Sequence, residues 1–511
     1  MIRVQIQRRR QFQRWIFVLA VFFTMLVFFT LLHPIPIMDG DDVIYTVVSR
    51  KAIPRPGEWN PTRMMPELLM SFCGNLAGLA AAAGWGSFIN CQVVVLGAML
   101  SGFIAAYTAA FQRLLEKRFN TGRFTAVCLS LLFLLMHFLV FRTKEKGNLY
   151  MFYSYDACCV FYYTISALFC CTLVLYDMAE PRSVLFRKGT SPIRTGCLLL
   201  ALYCAVFSNL HGSVILAAWY FLRLIREIIR QKKAENAGKP ISEVSKTVLK
   251  ENNAASLFLL FWLAALLLEA TGGRAASTGG VTVLQGLEEA FTAFGGLFKK
   301  SSLFFLMMLG TAAVLAMFLL AVHPNQYYSR QFAEAVFETA IPAALSLLFI
   351  LLLSAASEPS YAGRPQVVFP VFFSVFLLVS LVAAFCLRRV PAAACLLPLV
   401  LVFCLSMTNT RMLTFADSNP LFIDGHVAVA VENSIYGQIV NAAKAGETEI
   451  TVLVPRSGET VSNWPHDGTI AAPMVEFFMK YGLIDHTIAV NIRPDSEVNR
   501  QFHIPDNPVL R

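Results

Sequence analysis

Residues 15–32, WIFVLAVFFTMLVFFTLL, run without one charged side chain. Coiled as a helix they extend about 27 Å, close to the ~30 Å hydrocarbon layer of a bilayer. Similar runs recur along most of the chain. In lipid the backbone must satisfy its own hydrogen bonds, so repeated apolar runs leave a bundle of helices as the expected architecture. Composition agrees: 57% of residues are hydrophobic, 14% are charged and 43 are Phe. The chain reads as an α-helical polytopic membrane protein.

About eleven crossings are expected, at roughly 15–33, 84–111, 124–141, 157–177, 195–209, 212–226, 254–270, 302–322, 335–354, 366–387 and 391–408. The basic run RVQIQRRRQFQR before Trp15 resembles the start of a signal peptide. The apolar stretch behind it is too long and lacks a small-residue cleavage site, so it reads as a retained helix with a cytoplasmic N-terminus. An odd number of crossings then puts the C-terminus outside. Lys and Arg concentrate in the loops this orientation keeps inside, so the net charge of +10 reflects membrane topology and not nucleic acid. The twelve cysteines lie on or beside apolar segments with no CxxC pair, which argues against a zinc site and a disulfide framework.

The first outer loop, within residues 34–83, carries Asp39, Asp41 and Asp42. Carboxylates this close repel unless solvent, a cation or a proton relieves them. Facing a cavity, one is a natural base and another a natural cation partner; alternatively, Asp41 or Asp42 starts a short interfacial helix, DDVIYTVVS, and accepts its free N–H groups. Five prolines between 34 and 61 forbid one continuous helix here. Residues 64–83 read as a second helix on or dipping into the outer face, with Glu67 beside the acidic loop or at an ordinary surface position.

Three further places hold polar groups near membrane depth. The loop FRTKEKGNLYMFYSYDACCVFYY is either a headgroup belt of aromatics or a stacking platform in which Lys144 or Lys146 meets phosphate; Asp156 in it is expected to face a cavity. Crossings five and six are short, so the turn SNLHG between them sinks below the surface with Asn209 and His211, or else the bilayer thins around it. In SEPSYAGRPQVVFP, Arg364 behind Tyr361 suits a lipid phosphate or simply snorkels. The segment 223–251 reads as a solvated, lipid-facing loop, and 269–302 as a lid or slack. From Asn409 the composition turns polar, and 409–511 reads as a small extracytoplasmic α/β domain, with Trp464, His466 and Asp467 in one of its turns. No Walker loop, GxGxxG, GxSxG or HExxH occurs.

The order of parts resembles the GT-C superfamily of membrane glycosyltransferases, and is most similar to bacterial glucosyltransferase-like membrane proteins. The carrying motifs are MDGDDVIY (38–45), YMFYSYDACCVFYY (150–163) and YAGRPQVVFP (361–370). The resemblance implies a transmembrane transferase region, 1–408, in a bacterial plasma membrane, with a polyprenyl-phosphate sugar donor and an extracytoplasmic acceptor: an envelope polymer, lipid or protein. Asp41 or Asp42 is then the base for an inverting attack, and Arg63, Lys146 or Arg364 neutralises the departing phosphate. Asp39, Tyr155, Asp156, His211 and Tyr361 complete the expected substrate contacts. Asp39 either orients the base or holds Mg²⁺ or Mn²⁺, which the sequence does not require. The rival reading is a transporter or lipid flippase for an envelope precursor. It calls for charges along several crossings and often for two similar halves, neither of which is evident.

Overall fold

The computed structural model describes residues 2–37, 40–48, 50–142, 148–149, 151–152, 157–180, 191–234, 240–273, 282–321, 326–407, 424–456 and 471–504. Helix α1 (Ile2–Val27) runs into a π-helical turn, Phe28–Leu32, and stops at His33. Pro34 explains the stop, because it lacks an N–H and pushes the residue before it out of helical geometry. Two helices of the first loop follow, α2 (Gly40–Val47) and α3 (Met64–Ala82).

Among the described residues, six helical segments are long and apolar enough to cross a membrane: Gln11–Leu32, Phe88–Lys117 (α4), Ala157–Ala179 (α6), Asn253–Ala270 (α10), Arg330–Ser357 within α13 (Gln326–Ser357), and Phe369–Arg389 (α14). Four shorter apolar helices lie on other expected crossings, at Arg123–Leu139 (α5), Pro192–Val206 (α7), Leu303–Leu319 within α12 (Leu303–Ala321), and Pro391–Met407, which includes α15 (Leu397–Met407). The chain is an α-helical membrane protein.

Two expected loops are helical instead. Within 223–251 the described residues belong to α8 (Leu210–Ala234) and α9 (Ile241–Glu251). Val244 and Val248, one turn apart, are buried, and Gln231 donates to Glu251 at 2.9 Å. That apolar pair is enough to fasten a charged helix to its neighbour. In 269–302, α11 (Val283–Lys299) begins at a capping box in which Thr282 and Gln285 bond each other's backbone N–H. Its buried Gly286, Ala290 and Leu297 share one face, whereas the Gly and Ser content of the preceding residues suggested slack.

The centre of the bundle is aromatic. Phe111 stacks on Phe133 with centroids 4.2 Å apart, and His137 stacks on Phe152 at 4.6 Å. His137 Nδ1 donates to the Phe133 carbonyl (2.9 Å), which leaves Nε2 to accept from Tyr107 Oη (3.2 Å). A buried histidine is thus spent on packing. At one end of the bundle, carboxylates bind the helices together: Glu180 pairs with Arg113 and Lys117, Glu338 with Arg118 and Arg226, and Asp177 with Arg223 at 2.5 Å.

Residues 424–504 hold α16 (Gly425–Lys444), β3 (Glu449–Pro455), α17 (Ala471–Lys480), β4 (Ala489–Asp495) and α18 (Ser496–Gln501). The two strands pair in parallel from Glu449↔Ala489 to Pro455↔Asp495, after the two-residue strands β1 (Phe141–Arg142) and β2 (Asn148–Leu149) have paired antiparallel. This unit rests on the other end of the bundle. Phe88 meets Phe477 and Phe478 edge-on at 5.3 and 5.5 Å, Asn75 Oδ1 accepts from Lys480 Nζ at 2.8 Å, and Gly78 leaves room for the Tyr481 ring.

Candidate functional site

The site grows from the contact of α2 with α3. Gly74 permits it, since any Cβ there would collide with the Thr46 carbonyl oxygen. The start of α3 is fixed from a second side, where Met65 N donates to Phe207 O at 2.9 Å and so joins it to the SNLHG turn. From a third side Glu269, at the end of α10, accepts from Thr62 N (3.2 Å) and Thr62 Oγ1 (2.5 Å). Three distant parts of the chain thereby hold Arg63.

Arg63 is 6% exposed, and its guanidinium lies over the rings of Tyr162 (4.8 Å) and Tyr163 (5.8 Å). Among the described residues it makes neither an ion pair nor a side-chain hydrogen bond. Burial opposes its charge, but Tyr163, Glu269, Tyr162 and Tyr361 outweigh that and hold its pKa above the usual arginine value. It is a cation at every working pH. Tyr163 then connects to Tyr361 (centroids 6.3 Å) and to His211 (5.9 Å), and Arg364 sits over Tyr361 at 4.1 Å. Arg364 is buried, on the short 3₁₀ turn Pro359–Gly363 and its C-cap. Tyr162 and Tyr163 project from a π-helical turn, Val160–Ile165, which widens α6 where these rings gather.

The sequence-predicted residues divide into three groups. Arg63, His211, Tyr361 and Arg364 come together around Tyr163. Asp42 is fully buried, and its carboxylate accepts from Ala157 N (3.1 Å) and Cys158 N (2.6 Å), capping the start of α6. Asp41, beside it, is exposed. Asp39, Lys146, Tyr155 and Asp156 lie outside the described residues, as do Lys144, Trp464, His466 and Asp467. The SNLHG turn is buried within the protein, with His211 N and Nδ1 at 2.9 and 3.1 Å from Asn209 Oδ1. No three His, Cys, Asp or Glu side chains among the described residues are placed to share a metal ion, and all twelve cysteines are free thiols.

Sequence reasoning missed Arg50, Glu58 and Glu269 and left Glu67 between two readings. Arg50 pairs with Glu67 and, at 2.6 Å, with Glu58. Glu67, 2% exposed, also accepts from Tyr162 Oη at 2.8 Å. Burial raises the Glu67 pKa, and Arg50, Tyr162 and Arg63 only partly offset it. Tyr45, edge-on to Tyr162 at 5.8 Å, is pushed up to about 12 by burial and by the nearby Glu67. The only sequence signal for this network was an acid, Glu67, in an otherwise apolar helix. No protein-family model, curated protein or solved structure matches this chain.

Proposed function

We propose that this protein is a GT-C-type membrane glycosyltransferase that moves a sugar from a polyprenyl-phosphate donor to an extracytoplasmic envelope acceptor. The observation that carries the reading is Arg63: a buried guanidinium stacked on two tyrosines, with no carboxylate partner, beside a second arginine that shares the same ring cluster. Burying a cation without an anion is costly. A site that keeps one there is suited to a ligand that brings the negative charge, and guanidinium geometry matches phosphate. The cluster joins α3, α6, the α7–α8 turn and the approach to α14, at the bundle end away from the Glu180 and Glu338 ion pairs.

In this reading the six long helices, the four shorter ones and the apolar first half of α8 supply about eleven crossings. The N-terminus is cytoplasmic, the cluster and the 424–504 unit face the outer side, and the membrane is a bacterial plasma membrane. An acceptor hydroxyl gives its proton to an aspartate of the pair Asp41–Asp42 as its oxygen bonds to the anomeric carbon. The bond from that carbon to the phosphate oxygen breaks, and its electron pair leaves on polyprenyl phosphate between Arg63 and Arg364. Asp41 is the better base of the two because it is exposed, whereas Asp42 is fully buried and caps α6.

The test is transfer from a labelled polyprenyl-phosphate sugar by the purified chain in nanodiscs, with Asp41→Asn and Asp42→Asn made separately and together. Loss with Asp41→Asn supports the reading, and full activity in the double variant removes the proposed base. Movement of the donor across sealed vesicles with no covalent product transfers the assignment to a flippase.

A further inference from the structure

A cleft of about 210 Å³ opens between α2 and the loop that leads into α3. It does not include Arg63. One wall is aromatic: Trp59 is 56% exposed, with its ring backed by Gly273, where an added Cβ would lie 3.1 Å away, and Tyr45 supplies a second ring. The polar groups are held in place. Arg50 is fixed by Glu58 and Glu67, and Glu67 is fixed again by Tyr162. Asn60, 5% exposed, also lines the cleft, and its Oδ1 has no hydrogen-bond partner among the described residues. Such an amide retains bonding capacity that a ligand can use.

The charge balance selects the ligand. One guanidinium is held by two carboxylates and so has little positive charge to offer a phosphate, unlike Arg63 next to it. An entirely apolar ligand is equally unsuited, since it would strand Asn60 and desolvate the outer Glu58 carboxylate. A neutral polyol ring meets both demands, with a face of C–H bonds for an indole and a rim of hydroxyls that donate to a carboxylate and accept from a guanidinium. The volume is small beside ordinary ligand pockets, which suits one ring.

We infer that this cleft is a saccharide subsite, in which a neutral pyranose stacks on Trp59 and bonds Glu58, Arg50 and Asn60. Its role as the acceptor position rests on the transferase reading; the binding chemistry does not. Tyr162 connects the two sites, because its ring lies under Arg63 while its hydroxyl holds the Glu67 wall of the cleft.

The test is saturation-transfer NMR on the full chain in nanodiscs, with methyl glucopyranoside, galactopyranoside and mannopyranoside as probes and glucose 6-phosphate as the anionic control. Expected is saturable transfer to ring C–H protons of at least one neutral glycoside, with the phosphate weaker. Trp59→Ala should weaken binding about tenfold, a ring's worth of stacking. Trp59→Phe, which keeps a ring and guards against misfolding of the loop, should stay near wild type. Absence of saccharide binding to the wild-type chain, or equal affinity in Trp59→Ala, overturns the subsite. Saccharide binding without any transfer from a lipid donor sinks the transferase reading alone; transfer that survives Trp59→Ala with no saccharide signal sinks the subsite alone.

Discussion

Arg50 and Arg63 stand on the same loop, both largely buried and both close enough to act on Glu67, yet the fold treats them differently. Arg50 has two carboxylates, Glu58 and Glu67. Arg63 lies on the faces of Tyr162 and Tyr163 and has no carboxylate in ion-pair contact among the described residues. A paired arginine in a partly dry place is a structural tie, whereas one left on aromatic rings keeps its donors available to an incoming anion. The comparison teaches that charge type alone does not mark a site. What marks it is whether the surrounding structure has already neutralised the charge.

The comparison is tested most severely by removing Arg50. Arg50→Ala leaves Glu67 buried without its cation, and the expected loss is about 3–5 kcal/mol of stability, measured as thermal or denaturant unfolding in detergent. Glu67→Gln in the same chain should recover much of it. An Arg50→Ala variant as stable as wild type would mean that Arg50 is no tie.

Arg63→Ala should do the reverse. Transfer is expected to fall by about 10²- to 10³-fold with little change in unfolding, and Arg63→Lys should restore only part of it, because an ammonium cannot reproduce the stacked, forked geometry. Unfolding that collapses in Arg63→Ala while residual transfer per folded molecule is normal would erase the distinction between the two arginines.

Gly74→Val tests the frame that both share. The added side chain meets the Thr46 carbonyl and forces α2 off α3. A cost of about 1–3 kcal/mol is expected, together with faster proteolysis between residues 40 and 63.

The smallest effect is a pH slope from Glu67. Its folded pKa lies above the ordinary carboxylate value, chiefly through burial. Below the ordinary value both states hold the proton. Between the ordinary and the raised value, only the folded state does. Stability contributed by this group is therefore complete at low pH and is lost as pH rises through the folded pKa. Unfolding midpoints followed upward from the ordinary carboxylate range should fall, and in Glu67→Gln this part of the slope should vanish. An unchanged slope would mean that Arg50 and Tyr162 have fully compensated the burial.

Much of the fold was legible from local pattern. The apolar runs gave the membrane-length and shorter apolar helices, DDVIYTVVS gave α2, TEITVLVP gave β3, and the helix before Gly446 stops where that glycine adopts φ +79. The errors were of one kind. Residues 223–234, 241–251 and 283–299 are helical, with buried contacts such as Val244 and Val248 and Gly286 against Ala355 within a polar or glycine-rich composition.

The sequence by itself determined that this is a helical membrane protein, because a backbone in lipid has no other partner than itself and the lengths of the apolar runs are written residue by residue. It also supplied Arg63, His211, Tyr361 and Arg364 as residues of interest, each being polar where the surroundings are not. Only the tertiary structure decided that these four meet at Tyr163, that Asp42 caps a helix, and that among the described residues Arg50 is ion-paired while Arg63 is not. Such facts depend on the approach of segments more than two hundred residues apart, as between Thr62 and Glu269. The energy of a buried charge is set by neighbours that sequence spacing does not specify.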